Sequence, residues 1–111
     1  MNHLRSDNPE MPYWDAIHTT EIRFNRFRCD HGWDIDLDDG SSNYKIYNNL
    51  SLNGGVKLRE GFNRTVENNI LINNGFHPHV WFKNSIDVFR RNIVLTERRD
   101  IRVQAWGKEV D

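Results

Sequence analysis

The chain has 111 residues, room for one domain at most, and carries 15 Lys+Arg against 16 Asp+Glu for a formal charge of −1. That balance excludes a general electrostatic pull toward nucleic acid or an anionic membrane surface, and no apolar run approaches the ~18–20 residues of a membrane span. The single cysteine, Cys29, excludes an internal disulfide framework and a multi-cysteine zinc site. Fourteen asparagines, several as Asn-Asn, argue against an all-α chain, because Asn is poor in helices and favoured in turns.

In chain order, residues 1–14 (MNHLRSDNPEMPYW) are polar and aperiodic, and they read as an irregular N-terminal segment without a signal peptide. From residue 15 to 111 a repeat takes over. FNRFRCD, YNNLSLN, ENNILIN and RRNIVLT start at Phe24, Tyr47, Glu67 and Arg90, at intervals of 23, 20 and 23 residues. Their alternating apolar pairs are Phe27/Cys29, Leu50/Leu52, Ile70/Ile72 and Ile93/Leu95, each preceded by Arg26, Asn49, Asn69 or Asn92. A second series, DIDLDDG, GVKLREG, HVWFKNS and DIRVQAW, starts at Asp34, Gly55, His79 and Asp100, at intervals of 21, 24 and 21. Its apolar pairs are Ile35/Leu37, Val56/Leu58, Val80/Phe82 and Ile101/Val103. Alternation of this kind marks half-buried strands. A third strand precedes each Asn pair, marked by Ile46, Val66 and Phe89. Ile22 in the first coil stands one residue out of step, which calls for a bulge or a one-residue shift of the alignment.

A period of 20–24 residues leaves no room for helices between parallel strands. The pattern therefore predicts an all-β, right-handed parallel β-helix of about four coils, with Asn49, Asn69 and Asn92 stacked in a ladder. Neither end shows a polar capping helix. The expectation is an internal piece of a longer β-helix whose missing coils complete it.

Residues flanking the second series' apolar pairs are expected to point outward: Asp34, Asp36 and Asp38, then Gly55, Lys57 and Arg59, then His79, Trp81 and Lys83, with Asp100, Arg102 and Gln104 on the last strand. Asp39 and Glu60 share a column at the exit turn. Asp36 and Asp38, two apart on one face, have Cα atoms ~6.5–7 Å apart. Their carboxyls can fall within the ~5–9.5 Å spans of glycoside hydrolases, which makes Asp36, Asp38 and Asp39 the candidate catalytic residues. Lys57, Arg59, Glu60, His79 and Trp81 are the candidate substrate contacts, with Trp81 a face for a sugar ring and Lys57 and Arg59 partners for uronate carboxylates. The ordinary reading of outward charges of opposite sign on neighbouring strands is stabilisation of the sheet. Ca²⁺ is the competing cause for the acidic cluster, although its spacing is not an EF-hand. No protein-built metal site is expected, since His77 and His79 flank Pro78 with no evident third ligand.

The stretch from His31 to Phe82, HGWDIDLDDGSSNYKIYNNLSLNGGVKLREGFNRTVENNILINNGFHPHVWF, resembles right-handed parallel β-helix proteins of the pectate-lyase-like superfamily. Within it the chain looks most like bacterial enzymes similar to glycoside hydrolase family 141. The resemblance implies an exported, secreted or periplasmic parent that acts on plant-type polysaccharide through Asp carboxylates. A polysaccharide lyase and a non-catalytic binding, adhesin-type or remnant β-helix are the alternatives. A lyase would use Lys57 or Arg59 as base with Ca²⁺ near a uronate.

Overall fold

A computed structural model describes residues 7, 8, 10–79, 82 and 84–97. A short 3₁₀ turn, Met11–Trp14, precedes eleven strands. These are β1 (Thr20–Arg23), β2 (Arg26–Phe27), β3 (Ile35–Leu37), β4 (Tyr44–Tyr47), β5 (Leu50–Ser51), β6 (Val56–Leu58), β7 (Arg64–Glu67), β8 (Ile70–Ile72), β9 (Phe76–Pro78), β10 (Val88–Arg90) and β11 (Ile93–Leu95). Every pairing is parallel, and the strands sort by threes: β1-β4-β7-β10 in a first sheet, β2-β5-β8-β11 in a second, β3-β6-β9 in a third. The chain is therefore a parallel β-solenoid. The described residues make about three turns, three complete coils and two strands of the next, against the four that the sequence suggests.

The coil closes because its corners accept left-handed backbone. Phe24, Asn48, Asn68 and Arg91, between first- and second-sheet strands, all have φ between 53° and 56°. Asn tolerates this region better than most residues because its short amide bonds locally. The second member of each pair turns inward. Asn49 and Asn69 are buried at 4% and 1% exposure. Asn25, Asn49, Asn69 and Asn92 form one ladder, each amide oxygen from Asn49 onward accepting from the backbone and side chain of the coil before it. In Asn-Asn, then, the first residue supplies the bend and the second satisfies buried polar groups of two coils.

This ladder corrects the first-coil alignment. Ile22 pairs with Ile46 in plain register, so there is no bulge, and Asn25, not Arg26, stands over Asn49. It also reverses the second sheet. With Asn49 and Asn69 inward, alternation turns Phe27, Ser51 and Leu71 to the core, while Leu50, Leu52, Ile70, Ile72, Ile93 and Leu95 lie on the outer side. Ile70, Ile93 and Leu95 are 41%, 56% and 59% exposed, against 1% for Ser51 and Leu71.

The core runs up the axis, with Ile46 and Val66 from the first sheet, Leu71 from the second and Ile35, Leu37, Val56, Leu58 and Phe76 from the third. Each of these apolar side chains contributes ~1.5–3 kcal/mol by leaving water. Four were expected inside from the sequence: Ile35, Leu37, Val56 and Leu58. Ile101 and Val103 lie outside the described residues, as does Val80. Phe82 is described but belongs to no strand; it stacks on Phe62 with ring centroids 5.2 Å apart.

A charged face on the third sheet

The third-sheet strands are short because Asn and Gly turns bracket them, and those turns fix the register. Asn53-Gly54-Gly55 sits one coil below Asn73-Asn74-Gly75, with Val56 N–H donating to Gly75 O at 2.9 Å. Gly55 has φ +68°, and a Cβ there would collide with the Gly75 carbonyl, so only glycine fits. Val56 consequently pairs with Phe76, Lys57 with His77 and Leu58 with Pro78. The coil offset is 20 residues, and the expected 24-residue step to Val80 and Phe82 is overturned. The turn pattern carried the true offset; the alternation in HVWF matched that of GVKL by coincidence.

Two outward columns result. The first is Asp36–Lys57–His77. The second is Asp38–Arg59–His79, tied by Arg59 N–H to Leu37 O and His79 N–H to Leu58 O, each at 2.8 Å. His79 thus stands above Arg59 and not in the Gly55 column assigned to it from sequence. Trp81 and Lys83, expected beside this face, lie outside the described residues, as do Asp100, Arg102 and Gln104.

The charges interlock. Lys57 Nζ lies 3.0 Å from Asp36 and 3.7 Å from Asp38. Arg59 reaches Asp38 at 3.0 Å, Asp39 at 3.4 Å and Glu60 at 2.8 Å. Because one ammonium touches both, the nearest oxygens of Asp36 and Asp38 are no farther apart than about 7 Å, short of the ~9.5 Å upper limit for paired glycosidase carboxylates. Glu60 is buried, Lys57 is only 8% exposed, and Asp36 is open to solvent.

Asp38's partial burial opposes its charge, but the Arg59 hydrogen bond and the charges of Lys57 and Arg59 outweigh it and hold its carboxyl below the usual range. Arg59 is held correspondingly more firmly protonated: its desolvation is outweighed by the Asp38 hydrogen bond and by the charges of Glu60, Asp38 and Asp39. The repulsion expected within DIDLDD is therefore relieved by cations of the next coil.

Asp34 departs from its expected outward place. Its carboxylate accepts from the Ser51 hydroxyl at 2.5 Å and the Gly54 N–H at 2.9 Å. Burial opposes its charge, yet the Ser51 hydroxyl and the N–H groups of Gly54, Asn53 and Cys29 prevail and keep its pKa low. Asp34 thus pins the turn beneath the face and is not part of its surface.

Two residues join the face that strand alternation alone did not select. Trp33, half-buried at its margin, meets the His77 ring edge-on at 4.4 Å, and Lys57 Nζ stands 5.9 Å from the Trp33 ring. His77 Nε2 faces the Asn74 amide oxygen at 2.5 Å, which makes Nε2 the protonated nitrogen. The 20-residue Asn-Gly repeat would have placed His77 above Lys57. Among the described residues no cluster of three or more His, Cys, Asp or Glu is arranged to hold a metal ion. Comparison of the chain with protein-family profiles, curated proteins and solved structures gave no match.

Proposed function

We propose that the outer face of the third sheet is a glycan-binding surface of a carbohydrate-active β-helix, and that the reaction it serves is glycoside hydrolysis. The observation that carries this reading is the Asp36–Asp38 pair, two carboxylates about 7 Å apart or less on an exposed sheet with a tryptophan and a histidine on its border. In this reading Asp38, kept ionised by Arg59 and Lys57, takes the base or nucleophile role. The proton donor is Asp36 or Asp39, flanking it in the same cluster. Lys57 and Arg59 fix the carboxylates, Glu60 holds Arg59, and His79, His77 and Trp33 contact sugar. The resemblance of residues 31–82 to pectate-lyase-like β-helices, and to glycoside hydrolase family 141 within them, supports the same assignment, together with an exported parent protein.

A specific observation favours a second reading. Every cation of the cluster is engaged by carboxylates, the pattern that a merely stabilising ladder would also show. The test is a panel of polysaccharides, assayed for new reducing ends and, by NMR titration, for shifts of the Trp33 indole and the backbone of residues 34–39 and 55–61. Cleavage that falls at least a hundredfold in Asp38→Asn, with its melting temperature held within a few degrees, supports hydrolysis. Binding without cleavage leaves a non-catalytic glycan module. The absence of both binding and cleavage refutes the proposal.

A further inference from the structure

We propose, resting on the glycan reading above, that this face selects neutral sugar chains and rejects polyuronates. Sequence alone suggested the opposite, with Lys57 and Arg59 offered to uronate carboxylates. The geometry removes both from that task. Lys57 Nζ is shared between Asp36 and Asp38, and the lysine as a whole is buried. Arg59 divides its guanidinium among Asp38, Asp39 and Glu60. A uronate could recruit either cation only in competition with the carboxylates already seated on it, and would crowd a further anion against them.

The sum of charges points the same way. Four carboxylates, Asp36, Asp38, Asp39 and Glu60, face two cations, so that even with one carboxyl protonated as the proton donor this patch keeps a formal negative excess among the described residues. Asp34, held ionised in the turn below, adds to the negative field. The acidic residues, not the cations, are the solvent-facing members: Asp36, Asp38 and Asp39 side chains are 38%, 44% and 55% exposed, against 10% for Lys57 and 30% for Arg59. Carboxylate oxygens are acceptors only, so what they offer a ligand is acceptance from hydroxyl donors. A neutral sugar chain presents hydroxyls along its length. A polyuronate presents, on each ring, an anion that these oxygens repel.

The experiment titrates the protein with xylohexaose, cellohexaose and hexagalacturonate, in chelator-treated buffer at ~20 mM and ~150 mM salt, by calorimetry and by NMR shifts of the third-sheet residues. The expected result is a neutral hexasaccharide bound at least tenfold more tightly than hexagalacturonate at low salt. The gap should narrow at high salt, since the Debye length shortens to about 8 Å at 0.15 M. Asp39→Asn, which removes the most exposed anion and releases one claim on Arg59, should raise hexagalacturonate affinity several-fold relative to the neutral ligand and so narrow the gap between them. Hexagalacturonate bound as tightly as the neutral ligands, or more so, overturns the selectivity while leaving the glycan surface standing. If none of the three binds at the third sheet, the glycan reading itself falls, and the selectivity with it.

Discussion

Replacing Asn69 by alanine removes the most connected rung of the internal ladder. Its Nδ2 donates to Ile46 O at 3.1 Å, Glu67 O at 3.0 Å and Asn92 Oδ1 at 3.0 Å. Its Oδ1 accepts from Asn49 N at 3.0 Å and Asn49 Nδ2 at 3.1 Å. Five polar contacts therefore pass through one buried side chain, its two Nδ2 hydrogens shared among three acceptors, and alanine leaves the Asn49 N–H orphaned where water does not reach. At ~0.5–1.5 kcal/mol net per bond, with partial compensation among partners that keep a second contact, the expected loss is about 3–5 kcal/mol. Asn25→Ala, at the outer end of the same ladder, loses bonds to Arg23 O and Asn49 Oδ1 at an exposed site, and its expected cost is below ~1 kcal/mol. Urea denaturation followed by far-ultraviolet circular dichroism separates the two. With a slope of ~1–3 kcal/mol/M, Asn69→Ala should lower the midpoint by roughly 2 M, and Asn25→Ala by a few tenths. Equal effects at the two positions, or a loss under ~1 kcal/mol at Asn69, would refute the claim that buried amide stacking holds the coils together.

The side chains of Arg64 and Asp87 are both fully buried and paired through Nε and Nη2, and the Asp87 carboxylate also caps the Arg64 backbone N–H. Arg64→Met should cost ~3–5 kcal/mol by stranding the aspartate charge. Adding Asp87→Asn should recover at least ~1 kcal/mol, because the amide oxygen keeps the cap without the charge; denaturation of the single and double variants checks both values. Asp38 has a lower pKa folded than unfolded, so its ion pairs stabilise fully above the ordinary carboxylate range and are lost as pH falls through the folded value. The stability gap between wild type and Asp38→Asn, no more than about 1 kcal/mol at pH 7 because the pair is half-exposed, should close as the pH falls through the lowered folded pKa in a pH series of melting curves.

The sequence by itself determined the solenoid. A 20–24-residue period has no other economical use for three short parallel strands per repeat, and Asn-Asn at the same point of the middle coils demanded a turn that stacks on itself. It also determined that Ile35 and Leu37 face Val56 and Leu58, since DIDL and GVKL alternate cleanly and differ by 21 residues. The tertiary structure alone decided the second sheet's parity, because residues 70–72 are Ile-Leu-Ile and either face of that strand is apolar enough for the core. Alternation even favoured the wrong answer at Leu50-Ser51-Leu52, where the inward amide of Asn49 forces Ser51 inside to hydrogen-bond Asp34. The third sheet's last register was likewise a matter of stacking. Val80-Trp81-Phe82 carries the strand pattern, yet the close approach of Gly55 to the Gly75 carbonyl fixes the coil four residues earlier and lifts His77 over Lys57. Periodicity tells which side chains share a face, but not which face meets the core, nor how long each turn is. Those follow from the few buried polar groups and side-chain-free glycines that permit only one way of laying a coil on the next.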